Sequence, residues 1–92
     1  MAFDDIYFSD YARKRMFERR MSVAEVHQVL KDDDQLEDYG DGRYLVLGWV
    51  GTRAIHVVAE DDVVAQATTV VTVYEPDPRK WKSGFRKRKR KS

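Results

Sequence analysis

Tyr44-Leu-Val-Leu-Gly-Trp-Val50, YLVLGWV, is apolar at every position except Gly48, and it follows Asp41-Gly42. Leu36 to Tyr39 stand on the other side of that pair. An Asp-Gly step between two such runs signals a β-hairpin, because both residues tolerate the positive φ that tight hairpin turns require. Downstream, Gly51-Thr52 turns the chain into Ala54-Ile-His-Val-Val-Ala59, Asp61-Asp62 turns it again, and Ala67 to Tyr74 is rich in Val and Thr. β-branched residues in short runs bounded by turn residues read as strands. Three to four antiparallel strands are therefore expected. Since they are apolar on nearly every residue, the middle ones require cover on one face and part of the other.

Upstream the period changes. Ser9 is a good N-cap for a helix running to about Arg20, with Ala12 and Met16 on one face and Tyr11, Arg15 and Arg19 on the neighbouring row. Arg13, Lys14 and Arg20 point elsewhere. Ser22-Val-Ala-Glu25 reads as a capping box at the start of a second helix, whose core stripe is Val23, Val26, Val29 and Leu30. That helix should stop near Lys31. Asp77-Pro78 supplies a cap and a proline suited to the first helical position, which predicts a short third helix through Trp81. The expected fold class is α+β: two N-terminal helices packed on a three- to four-stranded antiparallel sheet, a short C-terminal helix, and a single domain over residues 1–85.

Of the 17 Lys and Arg, six stand consecutively from Arg86 to Lys91, which leaves 11 basic against 16 acidic residues elsewhere in the 92-residue chain. A run of like charges repels itself, so residues 86–92 are expected to be a disordered basic tail. Arg86, Lys87, Arg88, Lys89, Arg90 and Lys91 are its candidate contacts to nucleic acid; an acidic partner would suit them as well. The absence of cysteine excludes disulfides, thiolate nucleophiles and zinc–thiolate sites, and fits a reducing compartment. No apolar run is long enough to span a bilayer, and the start MAFDDIYF lacks the order of a signal peptide. A soluble cytoplasmic protein without membrane contact is expected.

Few groups remain for chemistry. The two histidines, His27 and His56, do not make a metal site without distant carboxylates, and the acidic run Asp32 to Asp41 lacks the glycine of a calcium loop. No metal and no cofactor is expected. Arginine, tyrosine and histidine together suit metal-independent RNA cleavage, which needs a base for the 2′-hydroxyl, cations for the phosphate and an acid for the leaving oxygen. Arginine offers a planar fork to phosphate, and His56 could exchange a proton near neutrality. The plainer readings stand beside this: Arg15 and Arg19 as a surface row or as anchors of the helix, His56 as a hydrogen-bonded strand residue, Tyr74 and Trp81 as packing groups.

Three stretches carry a resemblance. Tyr11-Ala-Arg-Lys-Arg-Met-Phe-Glu-Arg-Arg-Met-Ser22, Ile55-His-Val-Val58 and Val71-Thr-Val-Tyr-Glu-Pro-Asp-Pro-Arg-Lys-Trp81 are similar, in that order, to motifs of the bacterial family DUF 4258. The resemblance implies a fold of the RelE and MqsR toxin type (RelE-like) and mRNA cleavage as a toxin-like endoribonuclease. It also implies a cognate antitoxin of zinc-finger or helix-turn-helix type in a toxin–antitoxin pair. Residue by residue it implies roles for Arg15, Arg19, His56 and Tyr74 in catalysis, with Tyr11 standing where the family usually has histidine. Arg20 replaces the family's glycine at the helix corner, which then has no easy access to positive φ. A non-catalytic module that binds protein or nucleic acid, or an inactive toxin homologue, is the alternative.

Overall fold

In the computed structural model, which describes residues 2–89, the elements follow as β1 (Asp5–Phe8), α1 (Asp10–Glu18), α2 (Val23–Asp32), β2 (Asp34–Gly40), β3 (Arg43–Val50), β4 (Arg53–Asp62) and β5 (Ala67–Tyr74). The strands form one sheet in the order β1-β5-β4-β3-β2. β2 to β5 are antiparallel neighbours, whereas β1 lies parallel to β5. The expectation of a three- to four-stranded antiparallel sheet is thus corrected to a five-stranded mixed one. The extra strand is four residues long with two acids in or beside it, too little pattern to register, and it exists because β5 offers it a ladder.

The predicted C-terminal helix is also corrected. Asp77 does cap a turn, accepting the Arg79 N–H on Oδ1 at 2.9 Å, and its carbonyl accepts from Lys80 and Trp81. The chain then leaves helical geometry: Trp81 bridges antiparallel to Arg88, and Gly84 and Phe85 take positive φ of 88° and 59°. A cap and a proline start one turn, and nothing after them sustains a second.

Ser9 caps α1 through the Ala12 N–H at 3.0 Å, and its own hydroxyl donates to the Val71 carbonyl of β5. The helix ends in a Schellman arrangement, with Met21 N–H on the Met16 carbonyl at 2.9 Å and Arg20 N–H on that of Phe17 at 3.3 Å. Arg20 occupies the left-handed position at φ 54°, so the corner uses positive φ although no glycine stands there. Ser22 and Glu25 complete the capping box of α2.

Both helices lie on one face of the sheet. Ala12, Met16, Val26, Val29 and Leu30 pack there against Tyr44, Val46, Ile55, Val57, Ala59, Val70 and Val73. Gly48 lets α2 come close: a Cβ at that position would fall 2.5 Å from a Val29 methyl. The polar groups inside this layer are paired. Tyr44 and Thr68 donate to Asp61 Oδ1 at 2.9 and 2.7 Å, and Phe3 N–H donates to the Thr68 hydroxyl. Burial first, then Asp61, hold the Tyr44 phenol well above its ordinary range. Among the described residues no helix is long and apolar enough to cross a membrane.

Candidate nucleic-acid interface

Strand alternation sends every second side chain to the face away from the helices. On β3 and β4 these are Leu45, Leu47, Trp49, Ala54, His56 and Val58; on β5 they include Tyr74, the register partner of His56. On β2 they are Asp34 and Glu37, the partners of Leu47 and Leu45, with Tyr39 two residues on.

The C-terminal segment covers part of this second face. Residues 80–89 fold back on themselves, with Lys82 N–H on the Lys87 carbonyl and Lys89 N–H on that of Lys80, both at 2.8 Å. Trp81 is buried edge-on against His56, with ring centroids 4.5 Å apart, and Phe85 tilts against Trp49 at 6.1 Å. Arg86 pairs with Asp34 of β2, and the Arg88 guanidinium lies 5.4 Å over the Trp81 ring. The run expected to be a free arm from Arg86 onward therefore makes these contacts as far as Lys89, while Arg90, Lys91 and Ser92 lie outside the described residues.

His56 is the pin of this strap. It is fully buried; Nε2 lies 2.9 Å from the Phe85 carbonyl and Nδ1 lies 3.2 Å from the Tyr74 hydroxyl. A carbonyl only accepts, so the network assigns the proton to Nε2 and makes Nδ1 the acceptor of the Tyr74 O–H. Desolvation pushes the imidazole below the ordinary histidine value, against the opposing pull of the Phe85 carbonyl. It is held neutral, with both nitrogens in use.

Beyond the strap's edge the face is open and polar. Burial first, then the Glu37 carboxylate, raises the Tyr39 phenol, with Arg88 pulling the other way. The Tyr74 phenol is raised by burial first, then by Tyr39, and by Glu37, again against Arg88. Tyr39, Tyr74, Glu37 and Arg88 thus converge closely enough to act on one another's charge. Tyr39 remains half exposed.

The residues that sequence reasoning singled out fall into two groups on opposite faces. His56 and Tyr74 meet on the strap side. Tyr11 and Arg15 meet on α1, where the Tyr11 oxygen accepts from Arg15 Nε and Nη2 at 3.0 and 2.8 Å, so part of the guanidinium fork is already occupied. Arg19 closes α1 beside β4: its carbonyl accepts from Arg53 at 2.9 Å, and Arg53 lies 3.3 Å from Glu75. The sheet separates these arginines from His56. Glu37, Tyr39 and Trp81 were not identified as site residues. The i,i+2 spacing of Glu37 and Tyr39 was the available signal, since it places both on one face of a strand.

Among the comparisons, a family model described as "Domain of unknown function (DUF4258)" matches residues 8–75. No curated protein and no solved structure matches the chain. The family match ends just before the strap begins.

Proposed function

From a chain that belongs to the DUF4258 family, whose description assigns no chemistry, we propose a module that binds single-stranded RNA on the strap side of its sheet. The observation that carries this reading is the strap's composition: residues 79–89 hold seven cations and no acid. The strap that carries this charge is held on the sheet by Phe85 against Trp49, and its Arg88 lies near enough to Tyr39 and Tyr74 to oppose the burial-driven rise of their phenols. A cationic track next to aromatic faces is the arrangement that follows a backbone while unstacked bases rest on rings. The acidic remainder of the chain repels RNA elsewhere and so concentrates attraction on this one face. Single-stranded segments, with their bases splayed, are the targets such surfaces read in RNA.

The test is anisotropy of a labelled single-stranded RNA of about a dozen nucleotides, a length in the range such grooves occupy. Replacing Lys82 and Lys87, both exposed, with Gln should weaken binding roughly tenfold near 100 mM salt and flatten the salt dependence by between one and two in logarithmic slope. Unaltered affinity in that variant, or no binding by the parent chain, would overturn the proposal.

A second reading, toxin-like mRNA cleavage akin in activity to RelE- and MqsR-type toxins and governed by a cognate antitoxin, draws on the His56–Tyr74 pair with Glu37 nearby. His56 can move a proton for a substrate only once the Phe85 carbonyl leaves Nε2. The same titration mixtures distinguish the two. RNA that shortens with time, and stays whole with His56→Gln, favours cleavage; intact RNA favours the binding module.

A further inference from the structure

On the helix side of the sheet, between α2 and the segment that leads into β1, lies a hollow of about 370 Å³ that the RNA reading does not use. That volume is on the scale of small-ligand sites. Its floor is apolar: Leu30 is buried in the core, Ile6 packs against that core, and Phe3 lines the strand side, fixed by its N–H on the Thr68 hydroxyl at 2.8 Å. Its polar lining carries both signs of charge. His27 and Lys31 stand one turn apart on α2, Asp33 follows at the end of that helix, and Asp4 lines the strand side. The His27 ring lies parallel to that of Phe8, with centroids 6.0 Å apart, which sets its orientation. Asp4 and Lys31 share this hollow and do not pair with each other, and neither side chain has a partner among the described residues. Opposite charges that line one apolar cleft without meeting leave room for a ligand that carries the complement of each.

We propose that this hollow takes a free apolar α-amino acid, with its ammonium against Asp4, its carboxylate against Lys31 and its side chain on Phe3, Ile6 and Leu30. The site is separate from the RNA surface, which is on the opposite face of the sheet. Charge decides among the small ligands. An apolar carboxylate would meet Lys31 but would also meet the carboxylates of Asp4 and Asp33. An apolar amine would meet Asp4 but would also meet the ammonium of Lys31. A zwitterion leaves neither Asp4 nor Lys31 facing only its like. Both side chains are exposed, so each pair adds little by itself, and most of the affinity comes from burying the ligand's apolar side chain on the floor.

The experiment follows the methyl signals of Ile6 and Leu30 in the full chain by NMR as ligand is added. L-Leucine is compared with isoamylamine, which is leucine without its carboxylate, and with isocaproate, which is leucine without its amine. L-Leucine should shift both residues with a Kd on the order of a millimolar, as suits so small a ligand. Each analogue should bind about three- to fivefold more weakly, the loss expected for one exposed charge pair. In Lys31→Gln leucine should lose its advantage over isoamylamine, and in Asp4→Asn its advantage over isocaproate. Asp5→Asn removes the same charge from a residue outside the hollow and should change neither. No shift of Ile6 and Leu30 with leucine, an analogue that binds as tightly as leucine, or advantages that survive the two substitutions overturn the proposal.

Discussion

Arg20 holds a backbone conformation that suits glycine, and the surrounding bonds leave it no alternative. Its φ of 54° is what allows Met21 to reach the Met16 carbonyl, and Met21 then buries beside Met16 at the corner between α1 and α2. A side chain in this region costs about 1–2 kcal/mol, and glycine returns part of that gain as extra freedom in the unfolded chain. Arg20→Gly should therefore stabilise the protein by roughly 0.5–1 kcal/mol, read as a higher urea midpoint with unchanged slope. The side chain itself is exposed, so no packing is lost in the exchange.

At the scale of elements, the seating of α2 depends on one missing methyl group. Gly48 has ordinary negative φ, and its importance is spatial: a Cβ there would meet Val29 atoms at 2.5 to 2.9 Å. Gly48→Ala should push α2 away from β3 and destabilise the fold by about 1–3 kcal/mol, seen as a fall in Tm of several degrees or more. The sequence could announce some elements and not others. Asp41-Gly42 marked its hairpin because both residues adopt positive φ, 53° and 81°, and few other residues do so easily. Both helices were visible through Ser9 and through Ser22 with Glu25, whose caps are local chemistry. β1 was invisible because its structure is supplied by β5, 62 residues away in Cα register at Asp5 and Ala67. The same logic governs the site. His56 and Tyr74 could be named singly, whereas the approach of Glu37, Tyr39 and Trp81 depends on strand register and on a strap that leaves helical geometry after one turn.

Across the whole molecule the sheet is a partition, with helices on one face and the cationic strap on the other, joined through His56. Folded His56 binds its proton less readily than an unfolded histidine of ordinary value 6.5. Acid therefore favours the unfolded chain: the contribution of neutral His56 is complete above about pH 6.5 and is lost as the pH falls from there toward the folded value. Urea midpoints should decline between pH 7 and pH 5.5, and His56→Phe should show a flatter profile in that interval. A slope unaffected by the substitution would assign the decline to other groups. The parallel pairing of β1 carries a consequence in time rather than in energy. Ser9 N–H bonds to Val70, and Phe3 N–H to the Thr68 hydroxyl, so the segment around β1 has no partners until β5, made long after it, has emerged. Loops this long close slowly compared with a hairpin. The β3–β4 hairpin can form early, α1 must wait for β5, and the strap closes last over a sheet already built. Until β5 joins, the β4 edge it pairs with stays open, and the face around His56 stays bare until Trp81 and Phe85 close over it.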